Sequence, residues 1–250
     1  MTAELAAAGF DALAPDYDAL WSDSTIGRRQ REAVWRRVDR LFRPGDRILD
    51  LGCGTGRDAL HFQALGVEVN GIDASEAMVH EARARGVKAE RLPIEEIARL
   101  DGPFQGAISN FGALNPVADL RLVAAALSRL ILPQGHLALC LMGPCCAWEI
   151  GYYAARLRFG KAFRRWNPRG ARTSLGFRVR YPSAGKLERC FAPWFRLMAW
   201  YGIGLAVPPS YVAGLSERQV ERLAAIDRRL AHRPLFRALA DHRLLIFRRL

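Results

Sequence analysis

The chain has 250 residues, half of them apolar, so it can bury one sizeable core, or one domain with additions. No run of eighteen uncharged apolar residues occurs, which argues against a membrane-spanning helix, and the acidic N-terminal stretch argues against a signal peptide. Five cysteines without C-x-x-C spacing are typical of reduced core residues, so we expect a cytoplasmic protein.

Positive charge is concentrated in the last hundred residues. Residues 1–150 hold 16 Lys/Arg and 20 Asp/Glu, whereas residues 151–250 hold 21 and 5. Such asymmetry favours an anionic partner, which could be an acidic substrate, a membrane surface or nucleic acid. Nearly all of these bases are Arg, however, as a GC-rich genome would produce without selection for charge. Both explanations stay open.

Apolar periodicity predicts alternating strands and helices. An N-terminal segment at 10–21 and an Arg-rich amphipathic helix at 28–42 come first. Strands are then predicted at 46–51, 67–72, 87–92, 104–109 and 136–142, and the helices between them at 56–65, 75–85 and 117–132. This alternation predicts βαβ units and therefore a parallel sheet.

The first strand ends in a glycine-rich turn, Asp50-Leu-Gly52-Cys-Gly-Thr-Gly56. A strand, a glycine turn and a helix N-terminus together are typical of a nucleotide-type site, because the glycines let a ligand approach the backbone. Asp50 would repel a pyrophosphate, which makes an NAD(P) site the weaker alternative, but it suits a ligand with a cationic amine. Asp73 ends the second strand about twenty residues later, where it can accept hydrogen bonds from ribose hydroxyls.

With Asp73-Ala74-Ser75-x-x-Met78 and Phe104–Phe111, this turn resembles the class I S-adenosylmethionine (SAM)-dependent methyltransferases over roughly residues 10–145. The resemblance implies an α/β fold with a Rossmann-like, seven-stranded, mostly parallel sheet, helices on both faces and an antiparallel last strand. It implies SAM as the cofactor and no metal. We expect one domain over 1–250, with an N-terminal lid (1–45), a SAM-binding core (46–143) and acceptor-side insertions (144–182 and 204–240).

The resemblance also implies which residues hold the cofactor. Tyr17 is expected to close over the SAM carboxylate or simply to pack in the lid, and Arg28 or Arg29 to neutralise that carboxylate or to face solvent. Asn110 faces the methionine end or forms a turn. Pro93 stands where the family has an acid, so adenine would be recognised through backbone. The predicted cofactor-binding residues are Tyr17, Asp50, Gly52, Gly54, Gly56, Asp73, Ala74, Met78, Ile94, Glu95 and Asn110.

Beyond the fifth strand, Glu149 is the candidate general base, because it is the only acid between residues 120 and 187 and follows that strand. Six residues from Trp148 to Trp166 recur at spacings of three and four, which predicts one apolar helical face. This face could line an acceptor pocket, rest on an anionic membrane or pack on the sheet. The sequence further predicts a strand at 174–182, a helix at 183–191, strands at 194–203 and 242–247, and a helix after Ser216.

Three functions are compatible with these features. The first is methyl transfer to a small, apolar or lipid-like acceptor. The second is methylation of RNA or a protein through the basic C-terminal region. No Asn/Asp-Pro-Pro-Tyr motif, which is typical of exocyclic-amine DNA methyltransferases, follows strand four. We therefore favour a small-molecule partner over nucleic acid. The third is a non-catalytic SAM-binding scaffold. The sequence predicts no oligomeric state.

Overall fold

The computed structural model of the protein describes residues 2–212 and 214–250 and is built on one seven-stranded sheet. The strand order is β3-β2-β1-β4-β5-β9-β8, and β9 runs antiparallel to both neighbours while the other pairs are parallel. The predicted mostly parallel sheet with an antiparallel last strand is confirmed. The strands are β1 Arg47–Leu51, β2 Glu68–Asp73, β3 Lys88–Arg91, β4 Phe104–Ser109, β5 Ile131–Met142, β6 Ala171–Arg172, β7 Arg178–Val179, β8 Phe195–Ile203 and β9 His242–Arg249; β6 and β7 form a separate hairpin.

Helices cover both faces of the sheet. The α-helices are α1 Thr2–Leu13, α2 Thr25–Val38, α3 Arg57–Ala64, α4 Glu76–Ala84, α5 Leu120–Leu130, α6 Ala147–Ala154, α7 Phe159–Ala162, α8 Ala184–Phe191, α9 Glu217–Leu230 and α10 Pro234–Arg237. One apolar cluster joins the sheet to α2, α3 and α4. A second joins its other face to α5, α8 and a 3-10 helix, Ile94–Arg99. Both faces of the sheet are therefore covered by helices, and the connecting loops lie at the ends of the strands.

Local capping fixes several helix ends. Ser75 accepts a hydrogen bond from the Met78 N–H and begins α4, as its position before Glu76 predicts. Ser216 begins α9 with a capping box. Helix α2 begins at Thr25, earlier than predicted, because the Ser24 hydroxyl accepts from the Gly27 N–H. It ends at Val38 and is followed by a 3-10 turn, Asp39–Leu41, so the predicted extension of the helix to residue 42 is wrong.

The single helical face predicted for 148–166 is wrong. Helix α6 ends at Ala154, and Leu157 then adopts φ +56°, a left-handed conformation that is rare for a residue with a side chain. The chain turns there, and α7 and a 3-10 turn, Arg164–Trp166, follow in new directions. As a result Phe159 and Trp166 are 55% and 60% exposed instead of packing on the sheet.

The strand predicted at 174–182 is also wrong in extent. Only Arg178–Val179 is extended, and it pairs with Ala171–Arg172 in a short hairpin. Gly176 has φ +87° and the Thr173 N–H donates to the Phe177 carbonyl, so a turn occupies the first half of the predicted strand. Within residues 2–212 and 214–250, no helix combines the length and apolarity needed to cross a bilayer.

Candidate functional site

The predicted cofactor residues meet at the carboxyl edge of the sheet. Strand β1 lies between β2 and β4, so the strand order reverses there, and ligands of open α/β sheets bind at this kind of switch point. Asp50 lies near the end of β1, Asp73 ends β2 and Asn110 follows β4. The chain thus brings two carboxylates and the glycine turn to one crevice.

Each predicted glycine of the turn has a positive φ, of +75° at Gly52, +53° at Gly54 and +82° at Gly56. A Cβ at Gly52 would lie 2.3 Å from the Ala113 Cβ, and one at Gly56 would lie 2.9 Å from a Val87 methyl group. These two glycines are therefore needed for close packing. Gly54 differs, because no heavy atom lies within 4 Å of its Cβ position, which leaves the backbone open to a ligand.

Asp50 is buried, and its Oδ2 has no hydrogen-bond partner in the part of the chain that the structure describes. Burial, together with the nearby charge of Asp58, raises its pKa well above the ordinary value. A buried carboxylate without a partner is costly. A cationic ligand at this position would lower that cost, and the amine of SAM carries the required charge.

Asp73 is partly buried, and its desolvation raises its pKa. Its two oxygens accept from the Gly54 N–H at 2.9 Å and the Ser75 N–H at 3.0 Å. These bonds couple the end of β2 to the glycine turn. The Asp73 carboxylate lies at the end of β2, where the sequence analysis predicts that it accepts hydrogen bonds from ribose hydroxyls.

Asp58, in the first turn of α3, is a site residue that the sequence analysis missed. It forms a short ion pair with Arg31 and accepts from Trp35 Nε1 at 2.7 Å and Asn110 Nδ2 at 3.2 Å. Asn110 Oδ1 accepts from the N–H of the next residue at 3.0 Å, so its side chain forms a turn as well as facing Asp58. Arg31 thereby joins α2 to the crevice. The sequence signal for this role is an aspartate two residues after Gly56, the last glycine of the turn.

Arg28 and Arg29, in contrast, lie against acids outside the crevice. Arg28 pairs with Glu217 at 3.0 Å, and Arg29 pairs with Glu32 and Glu221 at 2.7 Å each. Both arginines therefore form ion pairs that join α2 to α9. Arg31 is the arginine of α2 that the structure places beside the crevice acids.

The N-terminal segment that is predicted to form a lid is tied to the glycine turn by charge. Asp18 accepts from Thr55 Oγ1 at 2.9 Å and from Arg57 Nε at 3.0 Å, and it pairs with Arg85. Burial alone would raise the pKa of Asp18, but these donors outweigh it and lower the pKa to about 2. A second lid acid, Asp11, accepts from Ser75 Oγ. The sequence analysis missed both acids, since their partners lie far along the chain.

Tyr17 lies within this lid, between the aromatic rings of Phe10 and Trp21, whose centroids are 6.3 Å and 5.1 Å away. Burial raises the pKa of Tyr17, and Arg31 and Asp73 are close enough to act on it electrostatically. The structure therefore brings Tyr17 to the crevice while it also packs in the lid.

The residues predicted at the adenine end differ in exposure. Met78 is 2% exposed, and Ile94 is buried with its Cδ1 3.7 Å from the Cβ position of Gly52. Glu95 is exposed to solvent, and the Ala74 carbonyl accepts from Arg91 Nε at 3.3 Å. Ile94 thus borders the glycine turn, whereas the Glu95 carboxylate is held by no partner of the described chain.

Glu149 is fully buried in an ion-pair network. Arg164 contacts both of its oxygens at 2.8 and 2.9 Å, and Arg165 adds a bond of 2.9 Å while also binding Asp241 at 2.6 Å. Burial would raise the pKa of Glu149, but the hydrogen bonds from the two arginines outweigh it and lower that pKa. A general base needs a pKa near the working pH, and the lowered pKa and three hydrogen bonds from arginine make Glu149 unsuited to this role.

His242, which the sequence analysis did not consider, begins β9 at the same edge of the sheet. Its Nδ1 lies 3.3 Å from Asp241 Oδ2, and its ring meets the Phe111 ring at a centroid distance of 5.4 Å. Burial would raise the pKa of Asp241, but His242 and Arg165 outweigh it and hold that pKa below its usual value. His242 Nδ1 has no hydrogen-bond partner in the described part of the chain, so Asp241 acts on the imidazole through its charge.

The crevice and the sheet order define a Rossmann-like protein with a nucleoside-type site, and the comparisons identify the family. Residues 26–192, more than half of the chain, match the family described as "Methyltransferase domain". The chain belongs to the class I SAM-dependent methyltransferase family. Both family and fold imply SAM as the cofactor, and the unpaired Asp50 oxygen and the open face of Gly54 fit it.

Similar proteins carry methyltransferase names. The chain is 32% identical over 151 residues to 27-O-demethylrifamycin SV methyltransferase of Amycolatopsis mediterranei, covering 52% of this chain and 56% of the other. It is 37% identical over 98 residues to the ubiquinone biosynthesis O-methyltransferase of Alkalilimnicola ehrlichii, covering 37% and 40%. The chain thus spans about half the length of these curated relatives. A SAM-dependent methyltransferase structure from Mesorhizobium loti has a TM-score of 0.59, 20% identity and coverage of 87% and 98%.

Replacing Asp18 with Asn should loosen the lid. Charged hydrogen bonds contribute roughly 2 kcal/mol, so the melting temperature at pH 7 should fall by about 5 °C, and S-adenosylhomocysteine (SAH) should bind more weakly. Because the folded pKa of about 2 lies below the ordinary value of 3.8, this stabilisation is fully present well above pH 4 and is lost as the pH falls toward 2. Thermal denaturation of both proteins between pH 7 and pH 3 measures the effect.

Asp16→Asn is the matched control, because this acid is exposed and lies two residues away in the same segment. It should leave both melting temperature and SAH affinity unchanged. An equal effect of the two substitutions would show that Asp18 does not hold the lid through its charge.

Proposed function

We propose that the protein transfers a methyl group from SAM to an oxygen of a small, apolar or lipid-like acceptor. The observation that carries the proposal is the buried Asp50 carboxylate, which has an oxygen without a protein partner beside the open glycine turn. When bound, SAM supplies an electrophilic methyl group on a sulfonium. Asp50, Asp73 and the lid would hold the reactants in line and exclude water, and such positioning accounts for much of the catalysis in displacement reactions.

An aromatic cluster beyond β5 supports an apolar acceptor. The rings of Tyr152, Tyr153 and Tyr211 have centroids 5.2 to 6.0 Å apart, and they join the segment after β5 to the segment after β8. Trp148 Nε1 donates to the Ala206 carbonyl at 2.8 Å and links the same two segments. The names of two relatives, a 27-O-demethylrifamycin SV methyltransferase and a ubiquinone biosynthesis O-methyltransferase, support transfer to an oxygen of a small molecule.

For the proton of a hydroxyl acceptor we propose His242 in place of Glu149. Asp241 Oδ2 lies 3.3 Å from His242 Nδ1 without forming a hydrogen bond to it, so Asp241 would act on the ring through its charge. Glu149 is engaged by two arginines and serves to anchor the segment after β5. His242 is the better candidate for the proton acceptor because its ring, unlike the Glu149 carboxylate, is not hydrogen-bonded to two arginines.

The enzymatic proposal is tested with methyl-labelled SAM and a panel of catechol, quinol and other hydroxylated apolar acceptors. The wild-type protein should label at least one acceptor. Asp50→Asn should bind SAH roughly a hundredfold more weakly, because it removes one partner of a buried charge pair. Binding is measured by calorimetry. Glu188→Gln is the control, since this exposed acid of α8 lies outside the predicted cofactor-binding residues, and the variant should bind as the wild type does.

Two outcomes would contradict this proposal. SAH binding without label in any small molecule of a cell extract would favour the non-catalytic scaffold. Label found in RNA or protein, with acceptor affinity that falls steeply as salt rises, would favour the polyanion alternative.

His242→Gln and Glu149→Gln should separate the two roles. Loss of a general base costs roughly a hundredfold or more in kcat, and for His242→Gln activity should recover as rising pH ionises the acceptor itself. Glu149→Gln should lower the melting temperature, because it leaves Arg164 without a carboxylate and Arg165 with Asp241 alone. The kcat of the folded fraction should change little. A large loss of kcat in Glu149→Gln with little loss in His242→Gln would instead identify Glu149 as the base.

We also propose that the region after β5 rests on an anionic membrane while the acceptor is bound. Leu157, Phe159 and Trp166 are 79%, 55% and 60% exposed. Exposed cations, Arg156, Arg158 and Lys161, alternate with them, and no acid occurs between 150 and 187. Aromatic and basic side chains on one surface fit the interface of an anionic bilayer. This surface would give a lipid-like acceptor a direct route from the bilayer to the site. The five unpaired cysteines support a cytoplasmic location.

Flotation with vesicles tests this surface. The wild-type protein should float with vesicles of phosphatidylglycerol and phosphatidylcholine but not with phosphatidylcholine alone. Phe159→Ser combined with Trp166→Ser should weaken binding by at least about tenfold, because two apolar side chains no longer insert. The control combines Leu122→Ser with Leu235→Ser, which are 68% and 70% exposed in other parts of the fold. Equal loss in both double variants would refute a specific membrane surface.

A further inference from the structure

A second, strongly basic cavity lies outside the cofactor crevice. It has a volume of about 270 Å³ and is bounded by α2, the carboxyl end of β8 and α9. Three arginines border it, Arg36 and Arg37 from α2 and Arg228 from α9. None of its lining residues belongs to the glycine turn or to the crevice acids.

The arginines of this cavity are only weakly neutralised. The nearest carboxylate oxygen to Arg36 is 4.0 Å away on Glu32, and the nearest to Arg228 is 3.9 Å away on Glu221. Contacts at these distances between exposed groups contribute little. Arg37 stacks over the Tyr201 ring at 4.3 Å and has no carboxylate within 4.0 Å in the described part of the chain.

The charges of these arginines also act on one another. Burial lowers the pKa of Arg36, and the positive charges of Arg228 and Arg37 lower it further. Asp227 borders the cavity too, but its two oxygens accept from the Ala206 N–H at 2.5 Å and the Val207 N–H at 3.3 Å. Burial raises the pKa of Asp227 to about 6, so its negative charge is diminished toward acid pH.

We propose that this cavity binds a phosphate or diphosphate group, either free or carried on a small molecule. Guanidinium groups are suited to phosphate because their planar array of donors can bind two oxygens at once. Three of them converge from two helices on a cavity large enough for a diphosphate. A bound anion would join Arg36 and Arg228, which otherwise repel each other.

Helix α2 connects this cavity to the cofactor crevice. Arg31 and Trp35 contact Asp58, whereas Ala33, Arg36 and Arg37 border the cavity. At about 100° per residue these two sets lie on opposite faces of the helix. An anion that holds α2 against α9 therefore also holds Arg31 at the crevice, so anion and cofactor should strengthen each other's binding.

Calorimetric titration with inorganic phosphate and with inorganic diphosphate, at constant ionic strength, tests the site. Both should bind saturably, and diphosphate more tightly. Arg36→Gln combined with Arg228→Gln should weaken diphosphate binding by about tenfold or more, because it removes two charged contacts. The control, Arg222→Gln combined with Arg229→Gln, removes the same charge from the opposite side of α9 and should stay within about twofold. A lack of saturation, or equal weakening in both variants, would overturn the proposal.

SAH titration with and without saturating diphosphate tests the coupling separately. Diphosphate should tighten SAH binding by about fivefold in the wild type and not in the Arg36/Arg228 variant. Unchanged SAH affinity with diphosphate bound would overturn the coupling and leave the anion site standing. Both titrations remain interpretable even if no methyl acceptor is found, since neither depends on transfer.

Discussion

The constraint on which this structure depends is a buried negative charge at the end of a parallel strand. Asp50 is 1% exposed, and one of its oxygens has no protein partner. Removing a carboxylate from water costs several kcal/mol unless a counter-charge and hydrogen bonds replace the solvent. Arg31 provides part of that counter-charge, but Asp58 takes the direct contact with it. The raised pKa of Asp50 reflects this incomplete compensation, which a cationic ligand would relieve.

The surrounding elements are arranged to keep this charge enclosed. Helix α2 closes one side through Arg31 and Trp35, and the lid closes another through Asp18. Enclosure strengthens electrostatic interactions because it excludes water. In the function proposed above, such a site would favour a cationic amino-acid end over a pyrophosphate by its charge. The segments after β5 and β8, where aromatic rings meet, would then select the acceptor.

Features with a local cause could be predicted from the sequence, and features with a distant cause could not. The glycine turn, the Ser75 cap and the order of the sheet follow from neighbouring residues and from the rules of parallel sheets. The roles of Asp58 and Asp18 depend on partners 27 and 37 residues away. The apolar spacing from Trp148 to Trp166 is compatible with a helix, but a left-handed leucine at 157 interrupts it and leaves no signal in the sequence.

The anchoring of the N-terminal segment has a consequence for the rate of product release. Asp11 bonds to the cap of α4 and Asp18 to the loop before α3, so the segment is fastened on both sides of Tyr17. In the function proposed above, a nucleoside product held beneath this segment could leave only after these contacts open. Opening of a stretch of chain remote from the reacting carbon would then limit turnover.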